Sequence, residues 1–131
     1  MIVDSSALLA IMLFEPEAEA CMDAIVAAPN RQMSVANWLE TTMVMDRRTD
    51  PDTVARFEDF VRDAGIELTP VSLTQAGIAR RAWRLYGRGR HPARLNYGDC
   101  FAYALAKETG QPLLFKGSDF AQTDIEPALK D

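Results

Sequence analysis

Short apolar segments alternate with longer helical patterns along this chain, and this alternation constrains the fold more than any other feature. Four apolar segments read as strands: MIV, RQMSV, IELTPV and PLLFKG. The intervening segments carry helix boundary signals such as Pro51, Gly65 and Gly110. Strands separated by helices pair in parallel through helical crossovers. We therefore predict an α/β fold, a three-layer α/β/α sandwich with a central parallel sheet.

The helical patterns have clear limits in the sequence. We predict helices over residues 6–13, 16–28, 35–48, 51–65, 73–89 and 97–110. The last of these is apolar almost all round, which is typical of a buried helix. A chain of 131 residues suits one compact domain. We find no repeat or linker that divides it, and we predict a single domain over residues 1–131.

The cysteine content and the apolar start indicate in which cellular compartment the protein is expected. The chain has two cysteines, Cys21 and Cys100, no CxxC pair and one histidine, His91, so neither a disulfide framework nor a zinc site is indicated. The apolar start lacks a basic region and a cleavage site, and it is too short to span a membrane. We expect a cytoplasmic protein that does not bind membranes.

Charge is distributed unevenly along the chain. The formal net charge of −5 argues against a protein that coats nucleic acid non-specifically, because such binding neutralises phosphates with basic residues. One segment is nevertheless strongly basic, and a local basic patch can bind phosphate on an acidic protein. The candidate phosphate-contacting residues in that segment are Arg80, Arg84, Arg88, Arg90 and Arg94.

Two aspartates follow apolar strand segments. Asp4 comes directly after MIV, and Asp119 comes just past PLLFKG. The carboxyl ends of neighbouring parallel strands lie at the same edge of a sheet, and function gathers at that edge in α/β proteins. We therefore expect the two carboxylates to meet.

Two further acids lie at helix positions that point toward a pocket. Glu40 has Ala36, Asn37, Met43 and Val44 as same-face neighbours in its helix, so it is expected to face the core side. Asp99 lies in the first turn of the buried last helix, where an acid is favourable for the helix dipole. Asn96 can lie beside it as a supporting polar group.

Four carboxylates in one pocket repel each other unless a cation joins them. Mg²⁺ and Mn²⁺ prefer carboxylate oxygens, water and phosphate, and the matching chemistry is phosphodiester hydrolysis. Each acid also has a structural reading. Asp4 can cap a helix, Asp99 can pair with a helix dipole, and Asp119 can belong to a turn.

Two other classes of protein stay open on the residues alone. A receiver or aspartyl-phosphatase also places Asp at a strand end, and Lys116 would then bind phosphate. An aspartyl-phosphatase needs a second Asp two residues after the first, however, and position 6 is Ser. A pure binding module is the other alternative, and it predicts that Asp4 and Asp99 are dispensable.

The stretches MIVDSSALLAIMLFEPEAE, SVANWLETTMV and LNYGDCFAYALAKETGQPLLFKGSDF, with the closing TDI, resemble the PIN-domain ribonucleases, and among them the VapC-type toxins of bacterial toxin–antitoxin pairs. The resemblance covers nearly the whole chain and is most specific from Leu95 to Phe120. It implies a PIN-like fold and Mg²⁺- or Mn²⁺-dependent endoribonuclease activity on RNA, with transfer RNA or another structured RNA as the expected substrate.

By matching position, the resemblance assigns the catalytic and metal-binding roles to Asp4, Glu40, Asp99 and Asp119, with Ser6 and Asn96 in support. Asp124 ranks below these four. The resemblance also implies a cognate antitoxin as inhibitor, a homodimer, and a hetero-oligomer with the antitoxin. Trp83 and Tyr86 are expected to pack their helix rather than to stack on bases.

Overall fold

The structure is a computed structural model that describes residues 1–130, so the last residue of the predicted domain, Asp131, lies outside the described residues. The strands are β1 (Ile2–Val3), β2 (Gln32–Ser34), β3 (Glu67–Thr69) and β4 (Leu113–Leu114). The helices are α1 (Ser5–Met12), α2 (Ala18–Ala27), α3 (Val35–Arg48), α4 (Pro51–Asp63), α5 (Leu73–Tyr86) and α6 (Tyr97–Thr109). A single 3₁₀ turn covers Phe120–Gln122.

The four strands form one parallel sheet in the order β3-β2-β1-β4. Ile2 pairs with Gln32 on one side and with Leu113 on the other, so β1 lies in the interior of the sheet. The chain leaves β1 toward β2 and β3 and later returns to the opposite side of β1 as β4. The gap beyond the ends of β1 and β4 is therefore the topological switch point, where α/β proteins place their sites.

Side-chain alternation along the strands creates two hydrophobic clusters, one on each face of the sheet. Ile2 and Leu113 point to a cluster built with α5 and α6. Val3 and Leu114, the next residue of each strand, point to a cluster built with the four earlier helices. Successive residues of a strand face opposite sides of the sheet. The short, fully apolar strands β1 and β4 are therefore buried on both faces. The three-layer α/β/α prediction is confirmed.

Several element boundaries differ from the sequence prediction. Helix α5 ends at Tyr86 rather than at residue 89, because Arg88 N–H donates to the carbonyl of Leu95 and Leu95 N–H donates to that of Tyr86, both at 2.9 Å. Strand β4 is also shorter than predicted and ends at Leu114. Asp119 therefore does not follow its strand directly. Four residues separate the two, and the 3₁₀ turn that begins after Asp119 was not predicted.

The cysteines lie in different layers of the fold. Cys21 is buried in the cluster on one face of the sheet, Cys100 in the cluster on the other, and both thiols are free. Within residues 1–130, none of the helices combines the length and the apolar character needed to cross a membrane.

Candidate active site

Asp4 lies at the switch point between β1 and β4. It follows β1 directly, its backbone N–H donates to the carbonyl of Leu114 at 2.9 Å, and it is the N-cap of α1. Its side chain is 4% exposed. Burial raises the pKa of Asp4, the hydrogen bonds from Ser6 act in the opposite direction, and the charge of Glu40 raises it further. The capping role and a place in a pocket therefore coexist.

Ser6 links the ends of the two central strands. Its hydroxyl donates to Asp4 Oδ2 at 2.6 Å, and its backbone N–H donates to the same oxygen at 3.0 Å. The same hydroxyl accepts a hydrogen bond from the backbone N–H of Lys116 at 2.9 Å, just beyond β4. Ser6 thus fixes the orientation of the Asp4 carboxylate against the rest of the sheet edge.

Glu40 turns from α3 toward α1 and the start of α6. Ser5 Oγ donates to Glu40 Oε1 at 2.6 Å, and Asn37 Nδ2 lies 3.4 Å from the same oxygen. Asn37 is fully buried and also donates to the carbonyl of Gly98 at 2.9 Å, which ties α3 to α6. Glu40 faces inward as predicted, but the predicted reason is incomplete. Met43 on the supposed core face is 59% exposed, and polar partners orient Glu40.

Asp99 and Asn96 form a reciprocal cap at the start of α6. Asp99 Oδ2 accepts from the backbone N–H of Asn96 at 3.0 Å, and Asn96 Oδ1 accepts from the backbone N–H of Asp99 at 2.9 Å. Burial raises the pKa of Asp99 to about 7. The cap hydrogen bond opposes the shift, and the negative charges of the other three acids reinforce it.

The four predicted acids therefore converge, although they come from four separate segments. Asp119 is the most exposed of them and stands at the start of the 3₁₀ turn. Among residues 1–130, none of the four carboxylates makes an ion pair. No basic side chain in this part of the chain therefore offsets their negative charges.

The acidic pocket is not a preformed metal centre. Within residues 1–130, no three His, Cys, Asp or Glu side chains are arranged so as to hold a metal ion. Glu40 is turned toward Ser5, and one oxygen of Asp99 is held by its helix cap. Rotations of these side chains would have to accompany metal binding.

Comparisons with known proteins agree with this fold. The family model described as PIN domain matches residues 1–126. The chain belongs to the PIN-domain family. A VapC ribonuclease of Mycobacterium bovis is 46% identical over 129 residues, which cover 98% of each protein. The ribonuclease VapC of Mycolicibacterium smegmatis is 48% identical over 125 residues, which cover 95% of this chain and 97% of the relative. Within the family, this PIN domain groups with the VapC proteins.

Solved structures show the same fold at low sequence identity. The sarcin–ricin loop cleaving toxin VapC20 of Mycobacterium tuberculosis superposes on this PIN domain with a TM-score of 0.74, at 16% identity and over 95% of both chains. A toxin–antitoxin complex from Klebsiella pneumoniae matches with a TM-score of 0.68 at 17% identity, over 94% of this chain and 92% of the other. Both confirm the predicted PIN-like sandwich.

Two charged residues of this PIN domain lie outside the acidic pocket. Lys116 Nζ pairs with Glu15 at 2.7 Å and lies 3.8 Å from Glu17, so its charge is already engaged and the phosphate-binding role of the receiver alternative is not supported. Asp124 accepts from Tyr103 OH at 2.7 Å and from Lys107 Nζ at 2.5 Å. Asp124 is therefore a structural partner of α6.

The candidate RNA-contacting arginines of this PIN domain lie on α5 and on the loop that follows it. Within residues 1–130, none of them makes an ion pair. Arg90 lies over the Trp83 ring at 4.2 Å from its centroid, and Arg94 has a positive φ of 56°. Tyr86 packs on the core as expected, whereas Trp83 is 43% exposed.

Sequence reasoning missed three residues that shape the pocket: Ser5, Asn37 and Gly98. Ser5 and Gly98 have no role in the sequence-based predictions, and Asn37 enters them only as a neighbour of Glu40. The contact of each is with a residue distant in sequence, so local spacing carries no signal for it. An Asn three residues before an inward Glu on one helix face is the one hint that the sequence offers.

Proposed function

We propose that this protein is a metal-dependent endoribonuclease that hydrolyses phosphodiester bonds of structured RNA, such as transfer RNA. In this proposal, Asp4, Glu40, Asp99 and Asp119 form the catalytic and metal-binding set. One observation supports it above all: the carboxylates come from four segments, the charges of the other three help to raise the pKa of Asp99, and none of the four has a basic partner in the described chain. Relatives of this chain over nearly its whole length carry the name ribonuclease.

The donor set fits Mg²⁺ or Mn²⁺. All four side chains offer hard oxygen ligands, which Mg²⁺ and Mn²⁺ prefer, whereas softer metals prefer imidazole and thiolate ligands. When bound, such a metal supplies an activated water and neutralises charge on the phosphate that is cleaved. Burial raises the pKa values of Asp4 and Asp99, the charges of neighbouring acids raise them further, and a bound cation would oppose both effects.

The surrounding polar residues would position these carboxylates. Ser6 donates to Asp4 through its hydroxyl and its backbone N–H. Ser5 and Asn37 donate to Glu40, and the backbone N–H of Asn96 donates to Asp99. In these hydrogen bonds one oxygen of each carboxylate accepts: Asp4 Oδ2, Glu40 Oε1 and Asp99 Oδ2. These contacts fix the carboxylates in the metal-free protein, and binding of a metal would require Glu40 and Asp99 to rotate away from them.

The arginines of α5 and its following loop would guide the RNA backbone toward a pocket that otherwise repels it. The proposal covers Arg80, Arg84, Arg88, Arg90 and Arg94, and it is supported by their lack of acidic partners within residues 1–130. Each phosphate contact should make binding more salt-dependent.

We further propose a cytoplasmic toxin that forms a homodimer and is inhibited in a hetero-oligomer with a cognate antitoxin. The relatives named VapC and the toxin–antitoxin complex among the structural matches support the antitoxin. Val35, Leu39 and Met43 form an exposed apolar stripe on α3 at a spacing of four residues, which supports the homodimer. The two free cysteines are compatible with a reducing compartment.

The decisive experiment is RNA cleavage by the purified protein with Mg²⁺, with Mn²⁺ and with a chelator. Asp4→Asn, Glu40→Gln, Asp99→Asn and Asp119→Asn should each lower the rate of cleavage at least about 100-fold if they hold the ion or the reacting groups. Asp46→Asn is the matched control, because Asp46 is an exposed acid on the same helix as Glu40. Cleavage by the four variants at the wild-type rate would show that the activity is a contaminant and would overturn the proposal.

A further inference from the structure

A second feature lies beside the acidic pocket: an apolar cleft between α5 and the start of α6. Its volume is about 440 Å³, and its walls are formed by Ala76, Arg80, Trp83, Tyr97, Cys100 and Phe101. Small-molecule sites have similar volumes and apolar linings with a few polar groups at the edge. Nothing in the proposed hydrolytic chemistry uses this cleft.

The aromatic rings of the cleft are exposed but held in place. Trp83 contacts two neighbours. Arg90 lies over its ring, and Gly87 is so close that a Cβ at position 87 would lie 2.7 Å from the indole Cδ1. Tyr97 is 81% exposed and meets Phe101 edge to face, with ring centroids 4.8 Å apart. Rings that are already fixed lose little conformational entropy when a flat ligand stacks on them.

The cleft and the acids share one helical turn. Asp99 and Cys100 are adjacent in the first turn of α6, and Cys100 lines the cleft, so the acid and the cleft wall lie at the same end of that helix. A single strand of RNA with one phosphate at the acids can therefore place an adjacent base in the cleft.

Charge favours nucleic acid over a second copy of this chain as the occupant. Arg80 lines the cleft and Arg90 lies over Trp83, and neither arginine has an acidic partner within residues 1–130. In a two-fold dimer the same patch meets itself, so these positive charges would face each other. A phosphate backbone supplies the opposite charge, and arginine and aromatic side chains are the groups that bind unpaired nucleotides.

We propose that this cleft binds an unstacked nucleobase of the RNA substrate, next to the phosphate that is cleaved, by stacking on Trp83 and Tyr97. This inference rests on the proposed ribonuclease function and deepens it, because it restricts the substrate to RNA that can present an unpaired nucleotide. Loops, bulges and ends present such nucleotides, whereas continuous duplex does not.

The test compares two fluorescein-labelled decamers of equal charge: a single-stranded RNA of mixed sequence, and its abasic ribose-phosphate counterpart. Binding to the full chain in the Asp99→Asn background is followed by fluorescence anisotropy, so that cleavage does not interfere. Wild-type cleft residues should favour the base-bearing decamer. Trp83→Ala and Tyr97→Ala should each weaken its binding about 5- to 150-fold and leave the abasic decamer unaffected. Leu73→Ala is the matched control, because Leu73 is an apolar side chain of α5 with 93% exposure outside the cleft.

The outcomes separate this inference from the function on which it rests. Suppose that Trp83→Ala and Leu73→Ala have equal effects on binding of the base-bearing decamer, while the protein with Asp99 intact cleaves RNA. This result would overturn the base site and leave the ribonuclease proposal unaffected. Loss of the dimer in Trp83→Ala, measured by light scattering, with unchanged RNA binding would assign the cleft to a second copy. Absence of both RNA binding and cleavage in the wild type would overturn both proposals.

Discussion

Glu40 and Gly98 are in direct contact across the interface between α3 and α6. The Glu40 carboxylate occupies the space that a side chain at position 98 would need, and a Cβ built on Gly98 would lie 2.7 Å from Glu40 Cδ. Asn37 closes the arrangement, since it donates to the carbonyl of Gly98 and approaches Glu40. The absence of a side chain at Gly98 therefore lets the Glu40 carboxylate reach the acidic pocket.

Gly98→Ala should displace Glu40 and lower the rate of RNA cleavage about 10- to 100-fold, because small misplacements of catalytic groups have effects of this size. The melting temperature should stay the same or rise. Ala is the better helix former, and the displaced atoms belong to the flexible end of a side chain. Steady-state cleavage assays and calorimetry measure the two effects.

Gly77→Ala is the control for that substitution. Gly77 lies in α5, and the nearest atom to a Cβ there is a side-chain nitrogen of Arg81 at an ordinary 3.9 Å. This variant should gain about 0.5–1 kcal/mol of helix stability and keep its activity. Equal activity of the two alanine variants would show that the position of Glu40 does not matter for catalysis.

The stability of the metal-free protein should fall as pH rises from about 4 to about 7. Asp99 has a pKa near 7 in the folded chain, against 3.8 as its ordinary value. The folded state therefore binds more protons than the unfolded state over this interval, and protonation stabilises it. The change should be roughly 1–3 kcal/mol, because Asp99 is partly exposed to solvent.

Asp99→Asn should remove most of this dependence and raise the melting temperature at pH 7.5, since it deletes one of several repelling charges. An Asn side chain can still accept the cap hydrogen bond from Asn96, so the helix start is preserved. Urea unfolding at several pH values in chelator measures the slope. Parallel curves for the wild type and the variant would contradict the assignment of the slope to Asp99.

Magnesium should raise the melting temperature of the wild type and have little effect on Asp99→Asn. A ligand that binds only the folded state stabilises it by mass action, about 2.7 kcal/mol at 100 times its dissociation constant. The metal replaces the proton on Asp99, so the response should be larger at pH 8 than at pH 6. Asp46→Asn should respond as the wild type does. A full Mg²⁺ response in Asp99→Asn would exclude Asp99 as a ligand.

Local signals in the sequence predicted the parts of the fold that depend on local physics. Helix α3 was predicted over 35–48 and has those bounds, because Ser34 caps its start and basic residues occupy its last turn. The end of α5 was wrong because its partner, Leu95, comes later in the chain. The length of β4 was wrong for a related reason. Strand length depends on pairing, and Phe115 is as apolar as the residues that pair.

The sequence indicated which acidic residues belong to the candidate site, but not which contacts hold their side chains in place. Asp4 and Asp99 stand at helix starts that the sequence marks clearly. The inward position of Glu40 depends on Ser5, Asn37 and Gly98, and these contacts exist only once three helices have packed. The sequence also did not predict that Trp83 is exposed, since helical spacing alone fits a packed tryptophan.

Ser6→Ala should lower both the stability and the activity. The substitution removes the donor to Asp4 and leaves the backbone N–H of Lys116 without its partner. A buried group that loses its partner costs about 1–3 kcal/mol. Loss of the donor should also raise the pKa of Asp4 further and shift the pH profile of cleavage upward. Ser6→Thr keeps the hydroxyl and should restore the profile. A normal profile in Ser6→Ala would leave Ser6 a structural role only.

Asp124→Asn should weaken the fold without affecting cleavage. The hydrogen bonds that Asp124 accepts from Lys107 and Tyr103 lower its pKa and outweigh its partial burial, which alone would raise it. A carboxyl with a lowered pKa stabilises the fold above its ordinary pKa of 3.8, and that contribution is lost as pH falls further. The variant should therefore lose about 1 kcal/mol at pH 7, and the difference from wild type should disappear near pH 3, as measured by urea unfolding.

Its Mg²⁺ response and cleavage rate should match those of the wild type, because its partners lie on the later turns of α6. A cleavage defect as large as that of Asp99→Asn would instead add Asp124 to the catalytic set.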